Sequence, residues 1–197
     1  MGEPVLSGIR LVWDLLTGLV SGYESGKKEL FGSHVEPLHQ RMLAIHKDYI
    51  TGFEEVKRHL EDNQTPAARV IAFLEERRRD YLAERELAEN LARELAKAER
   101  RVVRDEVWVS VREYSQAVAN YFLAATQVAG ISWYTDFLNM VKVKTNAGFS
   151  DVWDTLAITG SARHDLLKQV RAVLDVALPR ALSPVNTYYA VLRTALL

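Results

Sequence analysis

The sequence predicts an all-α protein, an elongated helical bundle with one long charged central helix and several shorter C-terminal helices. Three observations predict it. Glycine and proline are scarce, 10 and 5 in 197 residues, and they sit where helices should start or stop. Strand-like alternation is almost absent. Its best case, Val107-Trp108-Val109-Ser110-Val111, has no hairpin turn beside it, and a helical repeat runs through it at Val111, Tyr114, Val118, Phe122 and Ala125. Residues 66–106 hold ten Lys/Arg and ten Asp/Glu, a density that suits an exposed helix laced with same-face charge pairs.

The elements follow in order. A first helix is expected within 5–31. In its stretch 5–23 the polar residues Ser7, Arg10, Asp14, Thr17 and Ser21 form one narrow stripe, and apolar side chains cover most of the rest. Such a helix belongs in a core, at an oligomer interface or against lipid. Gly18, Gly22 and Gly26 recur every four residues and so share a face. Each costs about 1 kcal/mol against alanine inside a helix, which suggests close approach of a neighbouring backbone. The alternative is a helix ending near Tyr23 with a loop over 24–28. A second helix is expected at 34–62. Thr65-Pro66, following a polar run, supplies an N-cap and a first helical residue. The long charged helix starts there and ends somewhere between 104 and 129. Shorter helices are expected near 132–145, 151–159, 162–178 and 184–196. Ser161 is their N-cap signal after Gly160, Pro179 a stop, and Ser183-Pro184 a new start.

The charged helix has one apolar seam, Leu74, Tyr81, Ala88, Leu95, Val102 and Val109 at seven-residue steps, while the companion seam, Arg77, Glu84, Leu91, Ala98, Asp105 and Arg112, is largely charged. It is a poor coiled coil. Glu75–Arg79, Glu89–Arg93 and the run Glu94–Ala98–Arg101 illustrate same-face spacings of three and four residues, at which a charge pair adds about 0.2–0.5 kcal/mol. Residues 66–104 would span roughly 58 Å as one helix, more than a compact core of this size covers. The expectation is a protruding helix with one narrow sticky edge.

Composition removes several classes of function. A net charge of −1 gives no bulk attraction for nucleic acid. The clusters Arg77-Arg78-Arg79 and Arg100-Arg101 with Arg104 are flanked by Glu75, Glu76, Asp80, Glu99, Asp105 and Glu106, so they form a salt-bridged face rather than a phosphate site. No Cys is present, hence no disulfide, thiolate metal site or Cys nucleophile. No signal peptide is expected at an N-terminus that carries Arg10 and Asp14 within its apolar stretch. A cytoplasmic location is the expectation, with one domain over 1–197 and a possible subdivision into 1–65, 66–106 and 107–197.

Chemical motifs are few. Gly22 to Gly26-Lys27-Lys28 departs from the phosphate-binding loop in glycine spacing and in lacking Ser/Thr after the lysine. Glu36-Pro37-Leu38-His39 is one Glu-x-x-His, half of a di-iron carboxylate motif, and the second half is missing. His39 and His46 share a face, but two histidines do not make a metal centre. Asp165, after His164, complements a helix N-terminus. The aromatics of 108–153 fall at helical spacing and belong to the core. No catalytic, cofactor or metal residue is assigned, and no known family is resembled. The expected function is non-enzymatic: an interaction or scaffold module acting through self-association or a protein partner. Trp13, Leu16, Gly18, Leu19, Gly22, Leu74, Tyr81 and Leu95 are its candidate interface. A membrane-associating protein using the first helix is the alternative, and a ligand- or metal-dependent helical enzyme the third.

Overall fold

The structure is a computed structural model that describes residues 27–28, 31–80, 86, 88, 90, 105–123, 133–146 and 157–197. The fold is all-α, with no strand among the described residues. A five-residue π turn, Phe31–Val35, runs directly into α1, Glu36–Glu61, making 31 continuous helical residues. The reason is visible in the chain. Val35, Leu38, Met42, Ile45, Tyr49, Phe53, Val56 and Leu60 follow one another at three- and four-residue steps, and every one of them is buried. That spacing places them on a single helix face. The further helices are α2 (Ala67–Asp80), α3 (Asp105–Leu123), α4 (Trp133–Thr145), α5 (Gly160–Ala172) and α6 (Leu178–Leu196).

The chain divides into two compact units. One comprises Met1–Ala44, Ala83–Tyr121 and Leu182–Leu197; the other comprises Ile45–Leu82 and Phe122–Ala181. The division falls inside α1, inside α3 and inside α6.

In the second unit, α2 packs on α4 and α4 on α5. The core is aromatic. Tyr49 lies 4.9 Å from Tyr134 between ring centroids, and Phe53 lies 5.3 Å from Tyr134 and 5.5 Å from Phe137. Val70, Leu74, Leu166 and Val170 complete it, all fully buried. The turn between α1 and α2 is built by Asp62, whose carboxylate accepts from the Gln64 amide at 3.0 Å and the Thr65 hydroxyl at 2.9 Å. These bonds hold its carboxyl below the usual range. Thr65 thus spends its hydroxyl backwards along the chain. Pro66 bridges to Ala157 and its carbonyl accepts from Arg69 N, so the regular helix begins at Ala67, one residue later than expected.

The end of α1 is capped from α5. The Arg163 guanidinium donates through Nε to the Leu60 carbonyl and through Nη2 to the Glu61 carbonyl, two acceptors that a helix C-terminus leaves open. Two turns along α5, Arg171 reaches the Glu61 carboxylate at 3.4 Å.

In the first unit, α3 buries Val107, Trp108, Val111, Tyr114, Val118 and Tyr121. Val111, Tyr114 and Val118 belong to the helical repeat expected there, whose next member Phe122 is buried as well, while Ala125 lies outside the described residues; the strand-like run is helical. Val185, Leu192 and Leu196 of α6 are buried in the same unit.

Several expectations change. Pro179 does not stop a helix and Ser183-Pro184 does not start one: α5, a π turn at Val173–Ala177 and α6 are continuous. The π turn explains it. Leu178 N bonds to the Val173 carbonyl, five residues back, so the ladder is already widened where Pro179 brings no donor. Pro184 lies inside α6. The expected helix near 151–159 does not include its last residues, since Ala157 is in a bridge and Thr159 is extended at φ −130°, ψ 175°. Thr159, not Ser161, is the N-cap of α5. Gly160 follows at φ +59°, a conformation that costs other residues roughly 1–2 kcal/mol. Lys27 and Lys28 are helical. The expected helix over 5–23 and most of the charged stretch 81–104 lie outside the described residues; the part described is α2, with helical positions at Glu86, Ala88 and Asn90.

Candidate functional site

In the first unit, Glu36 and His39 stand at the start of α1, three residues apart and so on one face. Both meet Tyr189 of α6. The Tyr189 hydroxyl donates to the Glu36 carboxylate, which also accepts from Gln40 Nε2 at 2.8 Å. The Tyr189 ring lies parallel on the His39 imidazole, centroids 3.6 Å apart and planes 4° off. Tyr114 of α3 closes the third side, 6.2 Å from His39 and 6.1 Å from Tyr189 between centroids. Phe31 flanks Tyr189 at 6.1 Å.

The electrostatics follow from these contacts. Hydrogen bonds from Tyr189 and then Gln40 hold the Glu36 carboxyl below its ordinary value. Burial, then the hydrogen bond to Glu36, pushes the Tyr189 phenol up to about 12. Burial holds the His39 imidazole below its ordinary value, against the opposing pull of Glu36. At neutral pH the cluster is a carboxylate, a neutral imidazole and two phenols. Its carboxylate is already taken by two protein donors, and its tyrosines are far from ionising. The arrangement therefore joins helices, and the half-motif seen in the sequence holds a tyrosine where a metal would need its carboxylate. Among the described residues, no group of three or more His, Cys, Asp or Glu is placed to hold a metal ion.

Polar atoms remain unspent around the cluster. Among the described residues, buried His39 Nδ1, Tyr114 Oη and Ser115 Oγ find no hydrogen-bond partner. A buried unpaired polar group costs about 1–3 kcal/mol. Tyr114→Phe should therefore stabilise the chain, by about 1 kcal/mol once the lost packing of the oxygen is counted. Urea denaturation checks the sign; a destabilised variant would reveal a partner for the hydroxyl.

The second unit carries its own buried polar centre. Tyr134 of α4 donates to the Asp48 carbonyl at 2.8 Å and lies 3.1 Å from the Asp48 carboxylate. Arg77 of α2 approaches the other carboxylate oxygen at 3.4 Å. Burial first, and Asp48 next, push the Tyr134 phenol far up, so it stays a donor. One turn below Asp48, Gly52 leaves room for this hydroxyl: a Cβ there would stand 2.1 Å from Tyr134 Oη.

Charge pairing differs from the in-helix pattern expected for α2. The Glu75 carboxylate takes Lys142 of α4 at 3.0 Å, while Arg79 Nε donates to the Glu75 backbone carbonyl at 3.3 Å. Arg77, from the expected salt-bridged cluster, reaches Asp48 and lies over the Phe73 ring at 5.6 Å. Asp165, expected to serve a helix N-terminus, is bound by Lys144 at 2.6 Å, which holds its carboxyl down.

Of the candidate interface residues, Leu74 is fully buried in the core of the second unit, so the thin apolar edge is a core contact at this position. Trp13, Leu16, Gly18, Leu19, Gly22, Tyr81 and Leu95 lie outside the described residues. The aromatics Trp108, Tyr114, Tyr121, Phe122, Trp133, Tyr134 and Phe137 are core, as expected; Phe149 and Trp153 lie outside the described residues.

Sequence reasoning passed over the outer face of α6. Residues 182–197 contain a single charged side chain, Arg193. Ser183, Asn186, Thr187, Ala190, Val191, Thr194 and Leu197 are all exposed. Thr187 and Thr194 donate their hydroxyls to the carbonyls of Ser183 and Ala190, four residues back, both at 3.0 Å. A threonine bonded inward in this way offers the outside mainly its methyl group. On this face Tyr189, Ala190, Arg193, Thr194 and Leu197 line an open cleft of about 530 Å³. The signal was present in the sequence as a charge-poor stretch, but Ser183-Pro184 drew attention as a helix start.

No helix among the described residues is long and apolar enough to cross a membrane. Comparison with known protein families, curated proteins and solved structures finds no match, so no relative lends the site a chemistry.

Proposed function

We propose that this chain is a non-enzymatic helical interaction protein of the cytoplasm that works by self-association or by binding a protein partner. The observation that carries the reading is the outer face of α6. An exposed helix normally carries charge on its solvent side; this one offers hydroxyl-spent threonines, Ala190, Val191 and Leu197, with Val191 48% and Leu197 63% exposed. Small side chains and inward-bonded threonines let a second helix approach closely, and the cleft beside Tyr189 offers a socket to a larger side chain. The Glu36–His39–Tyr189 cluster supports the same reading, because its polar groups fasten helices rather than converge on an open pocket.

Light scattering over a concentration series tests it. The expected result is at least a dimer at micromolar concentration, weakened by Ala190→Glu, whose exposed position leaves the helical signal unchanged. A strictly monomeric chain at every concentration overturns self-association. An Ala190→Glu variant as associated as the parent removes α6 from the interface.

A further inference from the structure

We infer that the His39–Tyr189–Glu36 cluster is a pH-responsive latch on the C-terminal helix, closed at neutral pH and released when His39 takes up a proton. The inference stands on the geometry of the first unit and does not depend on what α6 binds. Two contacts tie Tyr189 to α1, the hydroxyl on Glu36 and the ring on His39. Both belong to the same two side chains of α1, so one proton reaches both.

Protonation puts an N–H on each imidazole nitrogen, and buried Nδ1 has no acceptor among the described residues. Among the described residues, the titratable groups that meet the ring are Glu36 on its own helix, Tyr114 on α3 and Tyr189 on α6, with Arg193 acting on Glu36 and Tyr189. A phenol face attracts an imidazolium, but it accepts no hydrogen bond in the plane of the ring. The acceptor of opposite charge is the Glu36 carboxylate, one turn away and occupied by Tyr189 and Gln40. A protonated His39 therefore either keeps a buried, unpaired N–H or takes Glu36 from Tyr189. Each outcome favours the opened state, in which His39 meets water and Tyr189 is free.

The direction follows from linkage. The closed cluster holds the His39 proton less firmly than the opened one, because burial outweighs Glu36. Closure is therefore complete above the ordinary imidazole value of about 6.5 and weakens as pH falls through the lower, folded value. His46 and His59, in the other unit, are also held down by burial, so global acid melting does not separate the three. A local readout does.

The experiment is amide hydrogen exchange of residues 185–196 in the full chain, corrected for intrinsic rate, between about pH 7.5 and about pH 5. Protection in this segment should fall by about tenfold or more in the parent. His39→Phe, which keeps a flat ring on Tyr189 but cannot take a proton, should abolish the fall, and His46→Gln should leave it. A parent with no fall, or a His39→Phe variant that keeps it, overturns the latch. Should His39→Phe not fold, NMR titration of the parent decides: the His39 and Tyr189 ring signals should share one midpoint below about 6.5, and separate midpoints, or one at or above that value, overturn it.

Discussion

Gly52→Ala is expected to destabilise the chain by about 1–3 kcal/mol, the usual cost of overpacking a core. Helix propensity alone gives the opposite sign, since alanine is favoured over glycine by about 1 kcal/mol inside a helix. The contest is decided by distance. A Cβ at Gly52 would lie 2.1 Å from Tyr134 Oη, 2.8 Å from Cζ and 2.9 Å from Cε1, and the ring is held between Tyr49 and Phe53. A rigid, fully buried aromatic has nowhere cheap to move. Its hydroxyl is also committed to Asp48, so displacement breaks a hydrogen bond as well. Tyr134→Phe alone should cost about 1.5–3 kcal/mol, the range for a hydrogen bond near a charged acceptor. The pair should be less damaging than the sum, because removing the hydroxyl takes away the closest clash. Thermal or urea denaturation of the two single variants and the double variant checks this through the coupling. A stabilised Gly52→Ala would mean that α4 does not seat Tyr134 against α1.

The same residues show how far a sequence of this kind can be read. The helix at 34–62 was foreseeable because its apolar residues repeat at helical steps over many turns, and its observed bounds, Phe31 to Glu61, differ by no more than a turn. The helix expected at 132–145 runs from Trp133 to Thr145 for the same reason. Local signals failed where a neighbouring hydrogen bond overrode them. Pro179 is a fair stop signal, yet a π turn immediately before it removes the hydrogen bond that the proline would have broken. Thr65 has the chemistry of an N-cap, but Asp62 claims its hydroxyl.

The polar centres lay further beyond reach. Glu36 and His39 were singled out for their spacing, and that spacing does put them on one face. Their partner Tyr189 lies 153 residues from Glu36 in the chain. Asp48, Gly52 and Tyr134 carry no shared motif, since the bond that relates them spans 86 residues. Gly52 in particular has no local reason to be glycine. It is explained only by the hydroxyl that occupies the place of its missing side chain.

Arg163→Ala is expected to destabilise the second unit by about 2–3 kcal/mol, the range for losing charge-assisted hydrogen bonds together with a favourable helix-end charge. Arg163 donates from two nitrogens to the carbonyls of Leu60 and Glu61. These are the last carbonyls of α1, which have no partner within the helix and lie at its negative end. A guanidinium suits them because its planar fork reaches two acceptors at once from one side chain. Arg163→Lys should recover only part of the loss, since an ammonium on a flexible stem keeps the charge but not the fork. The neighbouring ion pair between Arg171 and Glu61 is largely exposed, 57% and 45% by side chain, and Arg171→Ala should cost well under about 1 kcal/mol. The two variants thus separate capping from surface charge. Salt sharpens the test, because added salt screens the exposed pair more than the cap. Urea denaturation of the three variants at low and high ionic strength checks it. Equal losses for Arg163→Ala and Arg171→Ala, both fading with salt, would show that α5 holds the end of α1 by charge alone.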